Sequence, residues 1–164
     1  MKIMKYTAIS ISLAIVALFS AVTNAGGYVG AKAFTIDTEA GDFNGVNLVG
    51  GYDFNDFIGV RGRYMLDAGD ETYQGINIEL ESMTGLDLKL SMPLGDSLCV
   101  NVIGGRTKIR AKASAHGYSA SASDTFTTYG IGLSFSVLES YSVTAEVLDI
   151  DGDRMLSLGA NWNF

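Results

Sequence analysis

Residues 154–164, RMLSLGANWNF, end the chain, and from Leu156 onward apolar side chains alternate with small or polar ones. One face of this stretch is apolar and consists of Leu156, Leu158, Ala160, Trp162 and Phe164. A period of two over this length is typical of a β-strand whose two faces meet different surroundings. Because so apolar a strand would be an aggregation-prone edge in an open sheet, the pattern predicts a sheet that closes on itself.

The first 25 residues predict a secretory signal peptide. Lys2 and Lys5 precede an apolar run over residues 8–22, and small residues follow at 23–25. The run is short for a membrane-spanning helix, so we expect cleavage after Ala25 rather than retention as an anchor. The chain is therefore predicted to divide into a signal peptide at 1–25 and a single mature domain at 26–164.

The predicted mature domain is acidic. Lys2 and Lys5 are two of the 11 basic residues, so nine remain against 18 acidic ones, a net charge of −9. This balance argues against a nucleic-acid partner, because binding to phosphates requires a basic surface. Cys99 is the only cysteine and has no partner for an internal disulfide in the oxidising compartment that export implies. Odd-numbered residues of its predicted strand are expected to point inward. We therefore expect the thiol of Cys99 to be shielded.

Eight segments of alternating character follow one another from residue 27 to the end of the chain. These segments are 27–36, 46–54, 57–66, 76–92, 98–110, 124–137, 141–149 and 154–164. Polar loops are expected at 37–45, 67–75 and 111–123, the last of low complexity and mobile, and short connections elsewhere. Apolar residues at every second position are typical of lipid-facing strands. The sequence therefore predicts an all-β fold, an eight-stranded antiparallel up-and-down transmembrane β-barrel with short turns on the periplasmic side.

Two of these segments are longer than a membrane crossing requires. Seven even positions of residues 76–92 are apolar, namely Ile76, Ile78, Leu80, Leu86, Leu88, Leu90 and Met92. We expect this parity to hold throughout the segment while its upper part projects beyond the bilayer. In the next segment Arg106, Lys108 and Arg110 continue the outward parity of its apolar residues. Two explanations of these outward charges are open: a β-bulge near residues 104–105, or a position of this part of the strand beyond the hydrocarbon of the membrane. We favour the second.

Parity also places a set of ionisable side chains inside the barrel. A charge in mid-strand on the lipid face costs about 2 to 4 kcal/mol, so Lys32 is expected to point inward. The other even-numbered residues of its strand would then point inward as well. The inward ionisable residues, which form the predicted lumen charge network, are Lys32, Asp53, Arg61, Arg63, Asp87, Lys89 and Glu146. Buried charges persist only when paired, so these four cations and three anions are predicted to plug the narrow lumen. The alternative is a selective ion path.

Two weaker candidates for chemistry lie in the outer connections. His116 and Ser119 could supply a base and a nucleophile, but no acid is fixed beside them, so catalysis is disfavoured. Asp149, Asp151 and Asp153 resemble part of a calcium loop, but the expected glutamate is missing, so a solvated turn is favoured over a weak divalent-cation site. We therefore predict no catalytic residue, no metal site and no cofactor.

Several segments together resemble the small OmpA/OmpX-type, opacity-like family of bacterial outer-membrane β-barrels. They are GYVGAKAF at 27–34, GYDFNDFIGVRGRY at 51–64, TYGIGLSFSV at 128–137, VTAEVLDI at 143–150 and ANWNF at 160–164. The resemblance covers essentially the whole predicted mature chain. It implies a place in the outer membrane of a Gram-negative bacterium, surrounded by outer-membrane lipid and lipopolysaccharide.

The same resemblance implies partners during biogenesis, namely periplasmic chaperones and the barrel-assembly machinery. Trp162 and Phe164 match the C-terminal assembly signal of such barrels. Two departures from the family limit what is implied. No peptidoglycan-binding domain is seen after the barrel, so cell-wall anchoring is not implied, and the fourth outer connection at 150–153 is too short for an adhesin built on four long loops.

The predicted function is that of a non-enzymatic, monomeric outer-membrane barrel with a role in envelope structure or surface interaction. A small porin passing ions or small solutes is the alternative, and a lipid A-modifying enzyme is a weaker third. The composition of the outer connections is generic, so the sequence names no ligand.

Overall fold

The computed structural model describes residues 26–39, 41–68, 70–73, 76–115 and 118–164. The predicted signal peptide and His116 lie outside the described residues. The strands are β1 Gly26–Thr38, β2 Gly41–Asp53, β3 Ile58–Ala68, β4 Asp70–Tyr73, β5 Ile76–Pro93, β6 Leu98–Ala115, β7 Tyr118–Leu138, β8 Tyr141–Ile150 and β9 Asp153–Asn163. No helix within the described residues is long and apolar enough to cross a membrane.

The strands form one closed antiparallel sheet. The first and last strands pair with each other, with Ala31 opposite Ala160, and Gly27 and Phe164 exchange backbone hydrogen bonds of 3.0 and 2.9 Å. Strands β3 and β4 both pair with β5, so they share one position in the ring. The fold is therefore the predicted eight-stranded up-and-down barrel, and closure leaves no open edge along the paired length of β1 and β9.

The two rims of the barrel differ. The first, here called the terminal rim, carries Gly26, Phe164 and the short connections at 54–57, 94–97 and 139–140. The opposite rim, here called the distal rim, carries the connections between β1 and β2, β4 and β5, β6 and β7, and β8 and β9. The alternation of short turns and long hairpins follows the sequence prediction, and it sets which end of the lumen each inward side chain occupies.

The predicted loops at 37–45, 67–75 and 111–123 are largely strand, so those three predictions were wrong in extent. Pairing of β1 with β2 continues to Thr38 opposite Gly41, and pairing of β6 with β7 continues to Ala115 opposite Tyr118. Backbone hydrogen bonds between neighbouring strands hold these hairpins whatever their side chains. Where both faces of a hairpin meet water, no apolar alternation is needed, and the sequence signal for a strand is lost.

The predicted parity is confirmed along most of the barrel. Large apolar residues such as Leu133 and Leu158 are exposed on the outside, whereas Arg61 and Met155 are buried inside. An exposed apolar surface of this extent on a closed sheet is suited to lipid rather than water.

The exception to the parity lies in β5. Its register against β6 shifts between Leu80 and Ser82, so Glu81 is an extra residue in a β-bulge. Leu80 consequently packs against the same interior cluster as Met83, and Glu79 is exposed; the predicted unbroken parity of this segment was wrong. In β6, by contrast, the register against β7 runs through residues 104–105 without a shift, so the predicted alternative of a bulge there is excluded.

Candidate functional site

A chain of ion pairs crosses the lumen and joins five of the predicted inward residues. We call it the lumen ladder; its members, in order of contact, are Lys32, Glu146, Arg61, Asp87 and Arg63. Arg61 Nη1 lies 2.6 Å from Glu146 Oε1 and Arg61 Nη2 lies 2.9 Å from Asp87 Oδ2. All five side chains are buried, so the three cations and two anions are paired largely out of contact with water.

The other two predicted residues pair with each other nearer the terminal rim. Lys89 Nζ lies 2.7 Å from Asp53 Oδ1, and the two side chains are 16% and 31% exposed. The same ammonium lies 4.7 Å from the centre of the Tyr28 ring, a cation–π distance. The structure thus brings the seven residues into two groups, the lumen ladder and this half-exposed pair.

Two threonines extend the lumen ladder from Arg63 to strands β6 and β7. Arg63 Nη2 donates a 2.8 Å hydrogen bond to Thr107 Oγ1, which in turn lies 2.6 Å from Thr128 Oγ1. Both threonines are fully buried. The sequence prediction did not include them, although their inward parity as polar residues on β6 and β7 was the available signal.

Inward-facing glycines make room for the large charged side chains. A Cβ atom at Gly85 would lie 2.7 Å from Arg63 Nη2, and one at Gly132 would lie 2.8 Å from Glu146 Cγ. Both distances are too short for ordinary van der Waals contact. Glycine at these positions therefore serves close packing in the barrel wall, as expected for glycines within strands.

Between the lumen ladder and the distal rim, the interior is filled by apolar side chains. This apolar layer consists of Phe34, Ile36, Met65, Met83, Ile103, Leu148, Ile150 and Met155, all buried. Leu80, Ile109 and Phe126 pack against it. The sequence predicts a charged network alone in the interior, because large apolar residues are typical of the lipid face. The inward parity of Phe34 and Met155 was the signal for a second, apolar layer.

On the other side of the lumen ladder, a polar cavity reaches the terminal rim. Its volume is about 490 Å³, and its walls include Tyr28, Lys89, Asn101 and Asn161. Lys32, Arg61 and Glu146 also line it. Along its axis the lumen is therefore a polar cavity, then a charged ladder, then an apolar layer.

The thiol of Cys99 lies on the wall of this cavity. The residue is half-buried, with Sγ 3.7 Å from Asn101 Oδ1, so the thiol has the predicted inward direction but is less shielded than expected.

Asp149, Asp151 and Asp153 lie around the turn between β8 and β9, where the sequence favoured a turn over a weak divalent-cation site. Asp149 Oδ1 accepts a 2.9 Å hydrogen bond from the Gly152 amide, and Asp151 and Gly152 both have positive φ, at 56° and 99°. This is a tight turn closed by its own side chain. Within the described residues, no group of three or more His, Cys, Asp or Glu side chains could hold a metal ion. Partial burial, followed by the charges of Glu39 and Asp149, raises the pKa of Asp153 above its ordinary value.

The remaining candidate residues lie at opposite ends of the barrel. Ser119 is exposed in strand β7 rather than in a loop, and its proposed partner His116 lies outside the described residues. Trp162 and Phe164 are exposed near the terminal rim, with ring centres 5.4 Å apart. Their role as an assembly signal stays a prediction.

A closed antiparallel barrel with an apolar outer surface and charged residues paired in its interior defines a class, the integral membrane β-barrel. The chain belongs to the family described as outer membrane protein beta-barrel domain, whose family model matches residues 6–164. It is a protein of the outer membrane of a Gram-negative bacterium. In such barrels the short turns face the periplasm and the longer connections face outward, which makes the terminal rim periplasmic.

Solved structures with the same fold include the attachment invasion locus protein Ail of Yersinia pestis, at 22% identity and a TM-score of 0.62. The match covers 85% of this chain and 97% of Ail. The N-terminal β-barrel domain of Pseudomonas aeruginosa OprF matches at 20% identity and a TM-score of 0.64, over 86% of this chain and 100% of that domain. OprG of Pseudomonas aeruginosa matches at 12% identity and a TM-score of 0.59, over 85% and 96% of the two chains. No curated protein sequence matches the chain.

Proposed function

We propose that this protein is a non-conducting, non-enzymatic barrel that serves the envelope as a structural element and presents a surface for interaction at its distal rim. The observation that carries the proposal is the order of layers in the lumen. The lumen ladder blocks the polar cavity, and the apolar layer lies between the ladder and the outside.

The apolar layer argues most strongly against a small porin. A conducting lumen needs a continuous path of water and polar groups, whereas this layer contains side chains with almost no accessible surface, among them Met83, Leu148 and Met155. An eight-stranded barrel is only just wide enough for its own side chains, so little space remains beside them.

The same interior argues against an enzyme. The charged groups of the lumen are committed to one another in ion pairs, which leaves them poorly placed to act as acid, base or nucleophile toward a substrate. The lipid A-modifying alternative depended on His116 and Ser119, and no other observation favours it.

The hairpin of β6 and β7 favours a role at the surface. Strand β7 pairs with β6 from Tyr118 onward but with β8 only from Thr128 onward, so residues 118–127 form a strand paired on one side. A strand with one free edge offers backbone donors and acceptors to an added strand. This projecting sheet is the part of the described chain best placed to meet a partner outside the cell.

Planar-bilayer recording tests the proposal. We expect the wild-type barrel to give no steady single-channel steps, and the double variant Phe34→Ala/Leu148→Ala, which removes bulk from the apolar layer, to give openings. The matched control, Leu133→Ala/Leu158→Ala, removes similar bulk from the lipid face and should stay silent. Large, steady steps from the wild-type protein would identify a porin instead.

A further inference from the structure

Strand β6 changes character abruptly along its outer face. Its outward residues are apolar at Leu98 and Val102 and then basic at Arg106, Lys108 and Arg110, which we call the basic stripe. All three cations are exposed. Because alternate residues of a strand share a face, successive members of the basic stripe stand about 6.6 Å apart in a line.

The basic stripe begins at the level where the apolar outward residues of the neighbouring strands β5 and β7 end. Arg106 lies opposite Leu86 on β5 and Thr127 on β7. Below this level the outward residues of β7 are apolar or aromatic, from Tyr129 to Val137, and these nine residues match the roughly 9 to 11 that a tilted transmembrane strand needs. The stripe therefore lies at the outer headgroup region rather than in hydrocarbon.

Hydroxyl groups flank the basic stripe on both neighbouring strands. The cross-strand partners of Lys108 are Thr84 and Thr125, and those of Arg110 are Ser82 and Ser123. Cations with hydroxyls beside them are the side chains that bind phosphate groups, and arginine can do so through two parallel hydrogen bonds.

The cations of the basic stripe form no close ion pair within the described chain. None of the ion pairs found among the described residues includes a member of the stripe. The next outward cation along β6, Lys112, lies opposite Glu79 and is not counted in the stripe. Three like charges in line on a protein of net charge −7 are complementary to an external anion.

We propose that the basic stripe binds the phosphate groups of lipopolysaccharide in the outer leaflet of the outer membrane. The depth of the stripe selects a lipid headgroup over a soluble partner, because Arg106 stands at the boundary with the apolar surface. The site would bind strands β5, β6 and β7 to the outer leaflet just below the projecting hairpin of β6 and β7. It does not depend on whether the lumen conducts.

The experiment titrates the purified barrel, in zwitterionic detergent, with fluorescent bis-phosphorylated lipid A. Each surface cation contributes roughly fivefold to binding at an anionic membrane surface, so Arg106→Gln should weaken binding about fivefold and R106Q/K108Q/R110Q on the order of a hundredfold. The matched control is Arg154→Gln, which removes an outward cation of β9 that lies opposite Asp37 and Asp149 and should leave binding unchanged.

Two further ligands identify the source of the phosphate. Dephosphorylated lipid A should bind the wild-type barrel as weakly as bis-phosphorylated lipid A binds the triple variant, and millimolar inorganic phosphate should not compete. Competition by inorganic phosphate at the same concentration as lipid A would reassign the stripe to a soluble anion. Equal affinity of the wild type and the triple variant would overturn the proposal, provided that both show the same heat-modifiable gel migration and are therefore folded.

Discussion

Arg61 and Glu146 meet across the full width of the barrel, with Arg61 Nη1 2.6 Å from Glu146 Oε1. Their strands, β3 and β8, stand four positions apart in a ring of eight, so they are opposite walls. Backbone hydrogen bonds hold each strand only to its neighbours. The lumen ladder adds contacts through the centre of the barrel and fixes how far apart the walls stand.

Removing the carboxylate at the centre of this contact should destabilise the barrel. Glu146→Gln leaves the three buried cations of the lumen ladder with only Asp87 to balance them, and breaking a buried ion pair in this way costs about 3 to 5 kcal/mol. The midpoint of urea unfolding in detergent measures the effect. Glu139→Gln, in the exposed turn before β8, is the control and should leave the midpoint unchanged. Equal midpoints for the two variants would show that the lumen ladder does not stabilise the fold.

The space beneath Arg63 gives a second prediction. Gly85→Ala places a methyl group 2.7 Å from the Arg63 guanidinium, and overpacking of this kind costs about 1 to 3 kcal/mol. Gly104→Ala is the matched control, because a Cβ atom there meets nothing within 4 Å. Urea unfolding should therefore show a lower stability for Gly85→Ala than for Gly104→Ala, although the two substitutions are chemically identical and lie in adjoining strands. A loss of stability at Gly104 as large as that at Gly85 would contradict the described packing.

The position of the bilayer along β7 can be measured by substitution with arginine. Leu133 lies in the middle of the apolar surface, and arginine there should cost about 2 to 4 kcal/mol in a bilayer. Thr125 has the same outward parity but lies beyond the apolar surface, so arginine there should cost about 0 to 1 kcal/mol. Reversible unfolding in lipid vesicles measures both. Equal costs would mean that the hydrocarbon boundary is not near Tyr129.

Stability at the distal rim should depend on pH through Asp153. Partial burial is the first cause that raises its pKa, and the charges of Glu39, Asp149, Asp151 and Asp37 add to it. A carboxyl whose folded-state pKa is raised destabilises the fold when ionised, so its cost is present at neutral pH. The cost disappears as the pH falls through the folded-state pKa toward the ordinary value of 3.8.

Asp153→Asn should therefore stabilise the barrel at pH 7, by a few tenths of a kcal/mol because the side chain is only partly buried and water screens the nearby charges. The gap between the variant and the wild type should close as the pH approaches 4. Thermal unfolding at a series of pH values follows this difference. A gap that widens on acidification would show that the carboxylate is stabilised rather than strained in the folded protein.

The barrel class and the direction of its side chains could be predicted because lipid and lumen impose opposite demands on alternate residues. Lys32, Arg61 and Glu146 follow from parity alone, since charge is excluded from the lipid face. Prediction from this alternation fails outside the membrane, where lipid no longer requires one face of the strand to be apolar. The extra residue at Glu81 has no sequence signal, because the bulge lies above the bilayer, where exposed side chains on either face are tolerated.

Pairing within the lumen could not be predicted from the sequence. Parity places Arg61, Asp87 and Glu146 inside but does not set their heights, which depend on the stagger of the strands around the ring. The apolar layer was missed for a related reason. Leu148 lies two residues after Glu146 with the same parity, and only the closed ring shows that this level is filled by other apolar side chains rather than by charge.

Strands β1 and β9 pair and so close the sheet into a cylinder within the outer membrane. Ala31 and Ala160 face each other across this seam and are exposed on the outside. Ala31→Cys/Ala160→Cys, made in a Cys99→Ser background so that no other thiol is present, should form an intramolecular disulfide in the outer-membrane fraction after oxidation. The cross-linked chain would then change its migration on a boiled, non-reducing gel and regain normal migration with reductant. Absence of the cross-link from membrane-inserted protein, or recovery of the protein in the soluble fraction without detergent, would contradict the account.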